Sequence, residues 1–332
     1  MLTNLRSVDA AAAVARKILQ ALDRPFVIDA QSAAVSGSIG VVVAPDHGRD
    51  VEALTRRADV AMYTAKGQRN GYAIYEARQD NVSAERLSLA ADLKQAMQHG
   101  ELALEFQPQV GFASGTSLEV ETLLRWRHPI HGLVEPDRFV PLAERAGLIN
   151  ELTDWVIDGA LAQARTWLET GREIPVAVHI SARSLHDPTL RLRVQRALHR
   201  HDIPPRLLKL ELAERTVMEH GGRELETLAD LSSLGVVLCI NGFGAGYSSL
   251  ALLKRLPVAE LKIDRSFTRN LLDDERDAAM VRAIVDLGHN LGMSVAADGI
   301  DDGPLAEKVA ILGCDRGQGY YFGRVYDGES AR

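Results

Sequence analysis

The sequence has few of the features that mark secreted, membrane-embedded or polymer-binding proteins. Its 332 residues include only two cysteines, Cys239 and Cys314, both inside apolar strand-like runs without metal-ligand spacing. We therefore expect reduced core cysteines in a cytoplasmic protein, not a disulfide framework. No apolar run reaches the roughly 18–20 residues that a membrane helix requires. Charged residues also interrupt the amino-terminal stretch where a signal peptide needs an apolar core.

Basic charge is also scarce. The 38 Lys and Arg residues are outnumbered by 45 Asp and Glu, which gives a net charge of −7. Binding to a nucleic-acid polymer normally needs a basic face, so we expect none. A small anionic ligand is still compatible, because the field inside a cleft can differ from the net charge. The 46% hydrophobic content excludes a disordered chain and provides for a sizeable core.

The pattern of the chain changes near residues 78–86. Residues 1–77 predict helix, strand, helix, strand, in the order Val8–Leu22, Val35–Ala44, Arg49–Lys66 and Gly71–Tyr75. We predict a polar connector over 78–85, then one domain over 86–326 and a short tail over 327–332.

Repeated strand and helix patterns fill the domain over 86–326. The predicted strands are Leu102–Gln109, Leu118–Trp126, Val176–Ser181, Leu207–Ala213, Val236–Asn241, Glu260–Asp264, Ser294–Gly299 and Gly317–Phe322. Eight strands in about 220 residues predict an α/β fold, a (β/α)8 TIM-like barrel, in preference to an open doubly wound sheet. No G-x-G-x-x-G motif supports a dinucleotide-binding fold of the Rossmann type.

Polar side chains stand late in seven of these apolar strands. They are Glu121, His179, Glu211, Asn241, Lys262, Asp298 and Gln318. The carboxyl ends of barrel strands converge on one mouth, so we expect these side chains to meet in a ligand site. The alternative is that each strand end is simply solvated.

Several motifs identify a resemblance. Residues 121–129 read ETLLRWRHP, and the likeness continues through Phe106–Gln109, Ser181–Leu185, Phe243–Leu250, Leu261–Phe267 and Gln318–Phe322. Together these segments resemble the EAL domain family, cyclic-di-GMP phosphodiesterases, over about residues 86–326. The signature glutamate and leucine are present, with Thr122 between them in place of alanine. Ser38–Val41 and Arg57–Lys66 likewise resemble the carboxyl-terminal part of a GGDEF domain. Its cyclase signature is missing, so we expect no diguanylate cyclase activity.

The resemblance implies cleavage of cyclic di-GMP to linear pGpG with two Mg²⁺ or Mn²⁺ ions. It assigns catalytic roles to Glu121 and Lys262 and a metal-binding role to Glu211. The remaining metal positions depart from the family. Asp298 and Asp301 replace glutamates, His179 replaces an asparagine, and Asn241-Gly242 replaces a pair of aspartates.

These departures predict a broken two-metal centre. Aspartate is shorter than glutamate by about 1.5 Å, whereas metal–ligand distances vary by only about 0.2 Å. His179 offers nitrogen where Mg²⁺ prefers oxygen, and Gly242 offers no side chain. The alternative is that one metal still binds Glu121 and Glu211 and supports slow hydrolysis, with His179 favouring Mn²⁺ or Zn²⁺.

The residues that would contact the dinucleotide are better retained. By resemblance they are Gln107, Leu123, Arg125, Asp137, Ser181 and Gln318. Structural roles are the alternatives: Arg125 could pair with a carboxylate, Asp137 could cap a helix, and Gln318 could satisfy the barrel backbone. Glu214 matches the family glutamate that anchors the loop over Phe243–Ser248.

Three functions remain open. The favoured one is a non-catalytic cyclic-di-GMP receptor or regulatory module that needs no cofactor for binding. A residual phosphodiesterase dependent on Mg²⁺ or Mn²⁺ is the alternative, and a protein-interaction scaffold without a nucleotide is the third. The incomplete amino-terminal segment would expose a sheet edge, so a homodimer or a protein partner is a further expectation.

Overall fold

The computed structural model describes residues 8–22, 26–28, 31–33, 37–66, 71–113, 118–218, 222–246 and 249–327. The chain forms two compact units, residues 1–91 and residues 92–332. Residues 35–36 of the predicted strand Val35–Ala44, residues 247–248 of the predicted anchored loop, and residues 328–332 of the tail lie outside the described residues.

The first unit is a small α/β assembly. Its elements are α1 (Val8–Leu22), β1 (Phe26–Ile28), β2 (Gln31–Ala33), β3 (Ile39–Val41), α2 (Val51–Lys66) and β4 (Tyr72–Ile74). Strands β1 and β2 pair antiparallel, and β3 and β4 pair parallel. Alanines of α1 pack on this second pair because their small side chains let the helix approach closely, which buries Ala11, Ala15 and Val41.

The residues of the predicted connector, 78–85, are helical. These residues begin the helix α3, which runs without interruption over Arg78–His99. A polar composition is typical of a loop, but Arg78, Gln79, Ala84 and Glu85 are good helix formers. No Gly or Pro interrupts this stretch.

The second unit is a barrel wrapped by helices. Its strands are β5 (Leu102–Gly111), β6 (Leu118–His128), β7 (Gly132–Val134), β8 (Val176–Ile180), β9 (Leu208–Ala213), β10 (Val237–Phe243), β11 (Glu260–Ile263), β12 (Ser294–Ala297), β13 (Arg316–Gln318) and β14 (Tyr326–Asp327). Its helices are α4 (Pro136–Ala146), α5 (Ile149–Glu169), α6 (Ala182–Leu185), α7 (Leu190–His201), α8 (Glu214–Met218), α9 (Arg223–Ser233), α10 (Leu250–Leu253), α11 (Arg265–Thr268), α12 (Glu275–Asn290) and α13 (Gly303–Ile311). A short 3-10 turn covers Pro205–Leu207.

Eight of these strands close the barrel, in the order β5-β13-β12-β11-β10-β9-β8-β6, and β6 pairs back with β5. The predicted TIM-like barrel is therefore confirmed. The direction of β5 departs from a regular (β/α)8 repeat, because β5 is antiparallel to both β6 and β13. The two strands are separated only by residues 112–117, too few for the crossover helix that a parallel pair requires. The short strands β7 and β14 extend the sheet beyond the closed ring.

Four predicted strands of the barrel end earlier than expected, among them β8, which ends at Ile180 instead of Ser181. Strand β13 ends at Gln318 instead of Phe322, and β12 ends at Ala297, which leaves Asp298 in the following loop. Asp264 also lies after its strand, because its carboxylate caps α11 by accepting from the amide of Ser266 at 2.8 Å.

The core lies between the barrel and the helices, and it is built from apolar strand residues and from the apolar faces of the helices. Helix α5 shows the pattern clearly, since it buries Val156, Ile157, Ala160, Leu161 and Ala164 at three- and four-residue spacing. No helix in the described part of the chain is long and apolar enough to cross a membrane.

Candidate functional site

The strand register brings the predicted polar side chains together at the carboxyl ends of the parallel strands. Glu121 on β6 pairs with Ala177, two residues before His179 on β8, and His179 pairs with Glu211 on β9. Asn241 on β10 pairs with Lys262 on β11. We call the six residues that share hydrogen bonds or ion pairs here the mouth cluster: Glu121, His179, Glu211, Asn241, Lys262 and Gln318.

Glu121 is the centre of the mouth cluster. Its Oε1 lies 2.5 Å from His179 Nε2. Its Oε2 accepts from Lys262 Nζ at 2.6 Å and from Gln318 Nε2 at 2.5 Å. Because β6 and β11 are not neighbours in the sheet, the Lys262 contact crosses the barrel interior.

Glu211 is the second carboxylate of the cluster and is fully buried. Its Oε2 accepts from Asn241 Nδ2 at 2.8 Å, and both of its oxygens lie 3.4 Å from Lys262 Nζ. His179 Nε2 lies 3.5 Å from the same carboxylate. One buried ammonium therefore serves two carboxylates.

The two carboxylates have opposite pKa shifts. Burial opposes ionisation of Glu121, but Lys262 and the His179 hydrogen bond hold its pKa well below the ordinary value. Burial and the neighbouring charge of Glu121 raise the pKa of Glu211. Burial alone would lower the pKa of His179, yet its bond to Glu121 and the charge of Glu211 raise it. The protein thus favours one charged carboxylate and resists the second.

The donor set fits one cation better than two. Ligand atoms of Glu121, His179 and Glu211 all lie within 4.8 Å of one another. Two oxygens and an imidazole nitrogen suit Mn²⁺ or Zn²⁺ better than Mg²⁺, which prefers oxygen.

The residues at the family's other metal positions offer few ligand atoms for a second cation. Asn241 uses its amide as a donor to Glu211, and the Asp298 carboxylate accepts from the amide of Gly299 at 2.7 Å. Asp301 is exposed. Gly242 has φ of +72° at a bulge in β10, a conformation that strains any residue with a Cβ.

The predicted dinucleotide residues have local partners. Arg125 Nε donates to Glu105 Oε2 at 2.9 Å, and its Nη1 donates to the Leu124 carbonyl at 3.2 Å. Ser181 caps α6 by accepting from the amide of Ser184 at 3.2 Å.

The other members of that set differ in burial. Gln107 and Leu123 are half-buried, Gln318 is buried and Asp137 is exposed. Asp137 does not cap α4, because the N-cap is Glu135 and no side chain there makes a capping bond.

Glu214 holds the loop that follows β10. Its Oε2 accepts from the amides of Gly244 and Gly246, each at 3.0 Å. Any side chain at Gly246 would lie about 3.1 Å from this carboxylate, so the loop approaches Glu214 closely.

The barrel contains a second group of charged side chains that was not predicted from the sequence. We call Glu119, Lys209, Glu260 and Arg316 the lower ionic layer. Each stands two residues before a member of the mouth cluster on the same strand. Since residues i and i+2 of a strand face the same side, this spacing in the sequence could have revealed the layer.

Comparison with known proteins identifies the family to which this barrel belongs. The family model for the EAL domain matches residues 90–325, and that for the diguanylate cyclase GGDEF domain matches residues 1–71. This chain belongs to the EAL domain family. Its GGDEF match is partial and precedes the EAL domain.

Relatives and solved structures agree with this membership. The chain is 41% identical over 331 residues to the bifunctional diguanylate cyclase/cyclic di-GMP phosphodiesterase MucR of Pseudomonas aeruginosa, covering 99% of this chain and 48% of MucR. The solved PaMucR phosphodiesterase in complex with c-di-GMP is 43% identical, with a TM-score of 0.71, and covers 74% of this chain and 100% of that one. The FimX EAL domain from Pseudomonas aeruginosa bound to c-di-GMP is 25% identical, with a TM-score of 0.66, over 72% of this chain and 96% of that one. The chain spans about half or less of the length of the curated relatives it matches.

Proposed function

We propose that this chain is a cyclic-di-GMP signalling protein whose EAL barrel binds the dinucleotide without catalysing its hydrolysis. Membership of the EAL family and the likeness to barrels solved with c-di-GMP support the ligand. The altered cation positions support the absence of turnover.

One observation carries the proposal. The oxygens of Glu121 and Glu211 already accept hydrogen bonds or ion pairs from the chain's own Lys262, His179, Asn241 and Gln318. A cation pair would have to displace these donors, and neither Asn241 nor Gly242 supplies a carboxylate to hold two cations together. The chain's own donors therefore occupy the carboxylate oxygens that metal ions would otherwise bind, and Lys262 supplies a positive charge there.

The ligand contacts in this proposal do not depend on metal. Arg125 uses one donor on Glu105 and one on the Leu124 carbonyl, and a guanidinium carries five N–H groups. Its remaining donors and planar face suit a phosphate or a guanine base. Gln107, Leu123, Asp137, Ser181 and Gln318 complete the proposed contact set, and Glu214 would hold the adjoining loop in place.

A residual phosphodiesterase is the second candidate. The grouping of Glu121, His179 and Glu211 ligand atoms within 4.8 Å favours it, because these side chains could hold one Mn²⁺ or Zn²⁺. Such an ion would polarise the phosphodiester and lower the pKa of the attacking water. Lys262 would then help to position that water.

The proposal assigns ligand binding to residues 86–326. Residues 1–77 remain a partial GGDEF-like segment without a cyclase role in this scheme. A second copy of the chain or a protein partner would receive the signal.

Calorimetric titration of cyclic di-GMP in EDTA, then in Mg²⁺ and in Mn²⁺, tests the proposal. A chromatographic assay for pGpG accompanies each condition. The receptor predicts saturable binding in EDTA and no pGpG above a buffer blank. Metal-dependent pGpG formation would support the residual enzyme instead. No binding in any buffer would leave the scaffold function and overturn the proposal.

A further inference from the structure

Gln109 lies beneath the mouth cluster and has no role in the ligand contacts above. It stands on β5, directly opposite Gln318 on β13, and its residue exposure is 0%. Its Nε2 donates to Gln318 Oε1 at 2.6 Å.

This bond favours one of the two orientations of the Gln318 amide. Gln318 Nε2 donates to Gln107 Oε1 at 2.9 Å and to Glu121 Oε2 at 2.5 Å. A glutamine amide has its acceptor at one end and its donors at the other. The Gln109 donor and the Glu121 acceptor therefore favour the same orientation, with the Gln318 oxygen toward Gln109 and its amino group toward Glu121.

We propose that Gln109 is a positioning residue that fixes the Gln318 amide with its donor end toward the mouth cluster. This inference rests on the proposed metal-independent receptor and deepens it. A donor at this place suits the Glu121 carboxylate and a phosphate oxygen, whereas a cation would require the amide oxygen. Gln109 thereby favours a phosphate over a cation in the pocket, although Gln109 itself contacts neither of them.

A purely structural role does not account for Gln109. Its Oε1 is buried and has no hydrogen-bond partner among the described residues. A buried unsatisfied oxygen costs stability, so the Gln109 amide is kept at this position for its donor to Gln318 and not for a fully satisfied hydrogen-bond pattern of its own. The amide is thus expected to serve orientation, at a small cost in stability.

The substitution Gln109→Met tests this inference because it keeps the length and removes the donor. We expect cyclic di-GMP to bind about fivefold to tenfold more weakly in EDTA, the factor for one neutral hydrogen bond. The substitution removes the unpaired Gln109 oxygen but also the donor to the buried Gln318 oxygen, so the thermal unfolding midpoint should change little. Thr122→Ala is the matched control, since Thr122 is also buried beside Glu121 and its hydroxyl has no partner among the described residues.

A second measurement needs no ligand. Hydrogen exchange of the Gln318 side-chain amide, followed by NMR and assigned by its loss in Gln318→Leu, should accelerate in Gln109→Met and not in Thr122→Ala. If the wild type binds and Gln109→Met binds equally well with unchanged exchange, the inference is wrong while the receptor stands. If the wild type does not bind at all, the receptor fails, and the exchange rate alone decides whether Gln109 orients Gln318.

Discussion

The mouth cluster and the lower ionic layer occupy the same barrel strands, two residues apart, yet they satisfy their charges differently. In the lower ionic layer, Lys209 Nζ contacts Glu119 and lies 2.7 Å from Glu260 Oε1. Arg316 Nη1 lies 2.7 Å from Glu260 Oε2, and its Nη2 lies 3.3 Å from Glu119 Oε1. Two cations thus meet two anions, and each carboxylate has both cations as partners.

The mouth cluster lacks this balance. Glu121 and Glu211 share one permanent cation, Lys262, and the charge of nearby Asp298 also acts on that ammonium. His179 is a titratable group whose pKa is raised by its carboxylate neighbours, and its side chain is 48% exposed. The lower ionic layer pairs all of its charges internally and so stabilises the barrel. The mouth cluster keeps an unbalanced, titratable charge and can therefore respond to a ligand.

Removing a charge from the lower ionic layer should have the largest effect. Lys209→Met leaves Glu119 and Glu260 buried without their shared ammonium. We expect the free energy of unfolding to fall by about 3–5 kcal/mol, the range for breaking a buried ion pair from one side. Urea denaturation followed by circular dichroism measures this. Lys254→Met, at an exposed position, should change stability by less than about 0.5 kcal/mol, and a similar small change for Lys209→Met would refute the structural role of the layer.

Binding, in contrast, should depend on the mouth. Arg125→Ala should weaken cyclic-di-GMP binding by about 1.5–3 kcal/mol, because a charge-assisted hydrogen bond is lost. Unfolding should change little, since the Arg125 pair with Glu105 is partly exposed. Calorimetry in EDTA provides the measurement, with Arg196→Ala, an exposed residue of α7, as the control. Equal affinities of the two variants would remove Arg125 from the site.

Some features of the barrel and its site could be predicted from the sequence, and others could not. Apolar runs with one late polar residue predicted the barrel and six members of the mouth cluster. Strand direction was not predicted, because alternation and apolar runs look the same in a parallel and an antiparallel β5. The helix over residues 78–85 was not predicted, because their polar composition is typical of a loop. Hydrogen-bond partners such as Gln109 and Gln318 follow from closure of the barrel, which brings residues 209 positions apart into contact.

The smallest expected effect is a pH dependence of binding. The pKa of His179 is raised above its ordinary value of 6.5, so its positive charge is present below that raised pKa and is lost as the pH rises through it. Loss of this charge makes the mouth more negative, so an anionic dinucleotide should bind about twofold to threefold more weakly at a pH above this raised pKa than at pH 6.5. Protonation of Glu211, whose pKa is also raised, acts in the same direction.

Calorimetry across this pH range in EDTA checks the prediction. The variant His179→Gln should flatten the profile, because the amide does not titrate. A profile that keeps its slope in His179→Gln would assign the pH dependence to another group.

The most direct test compares two buried glutamates given the same substitution. Glu211 and Glu260 are 0% and 1% exposed, but the pKa of Glu211 is raised, whereas that of Glu260 is lowered, since Lys209 and Arg316 outweigh its burial. Charge on Glu260 therefore stabilises the fold, and charge on Glu211 opposes it.

The measurement is the unfolding free energy of Glu260→Gln and Glu211→Gln at pH 7, with cyclic-di-GMP affinity in EDTA for the second variant. We predict a loss of about 3 kcal/mol for Glu260→Gln and a change within about 1 kcal/mol for Glu211→Gln, with binding retained. Equal destabilisation by both substitutions, or binding that disappears in Glu211→Gln, would contradict the division between a structural layer and a metal-independent ligand site.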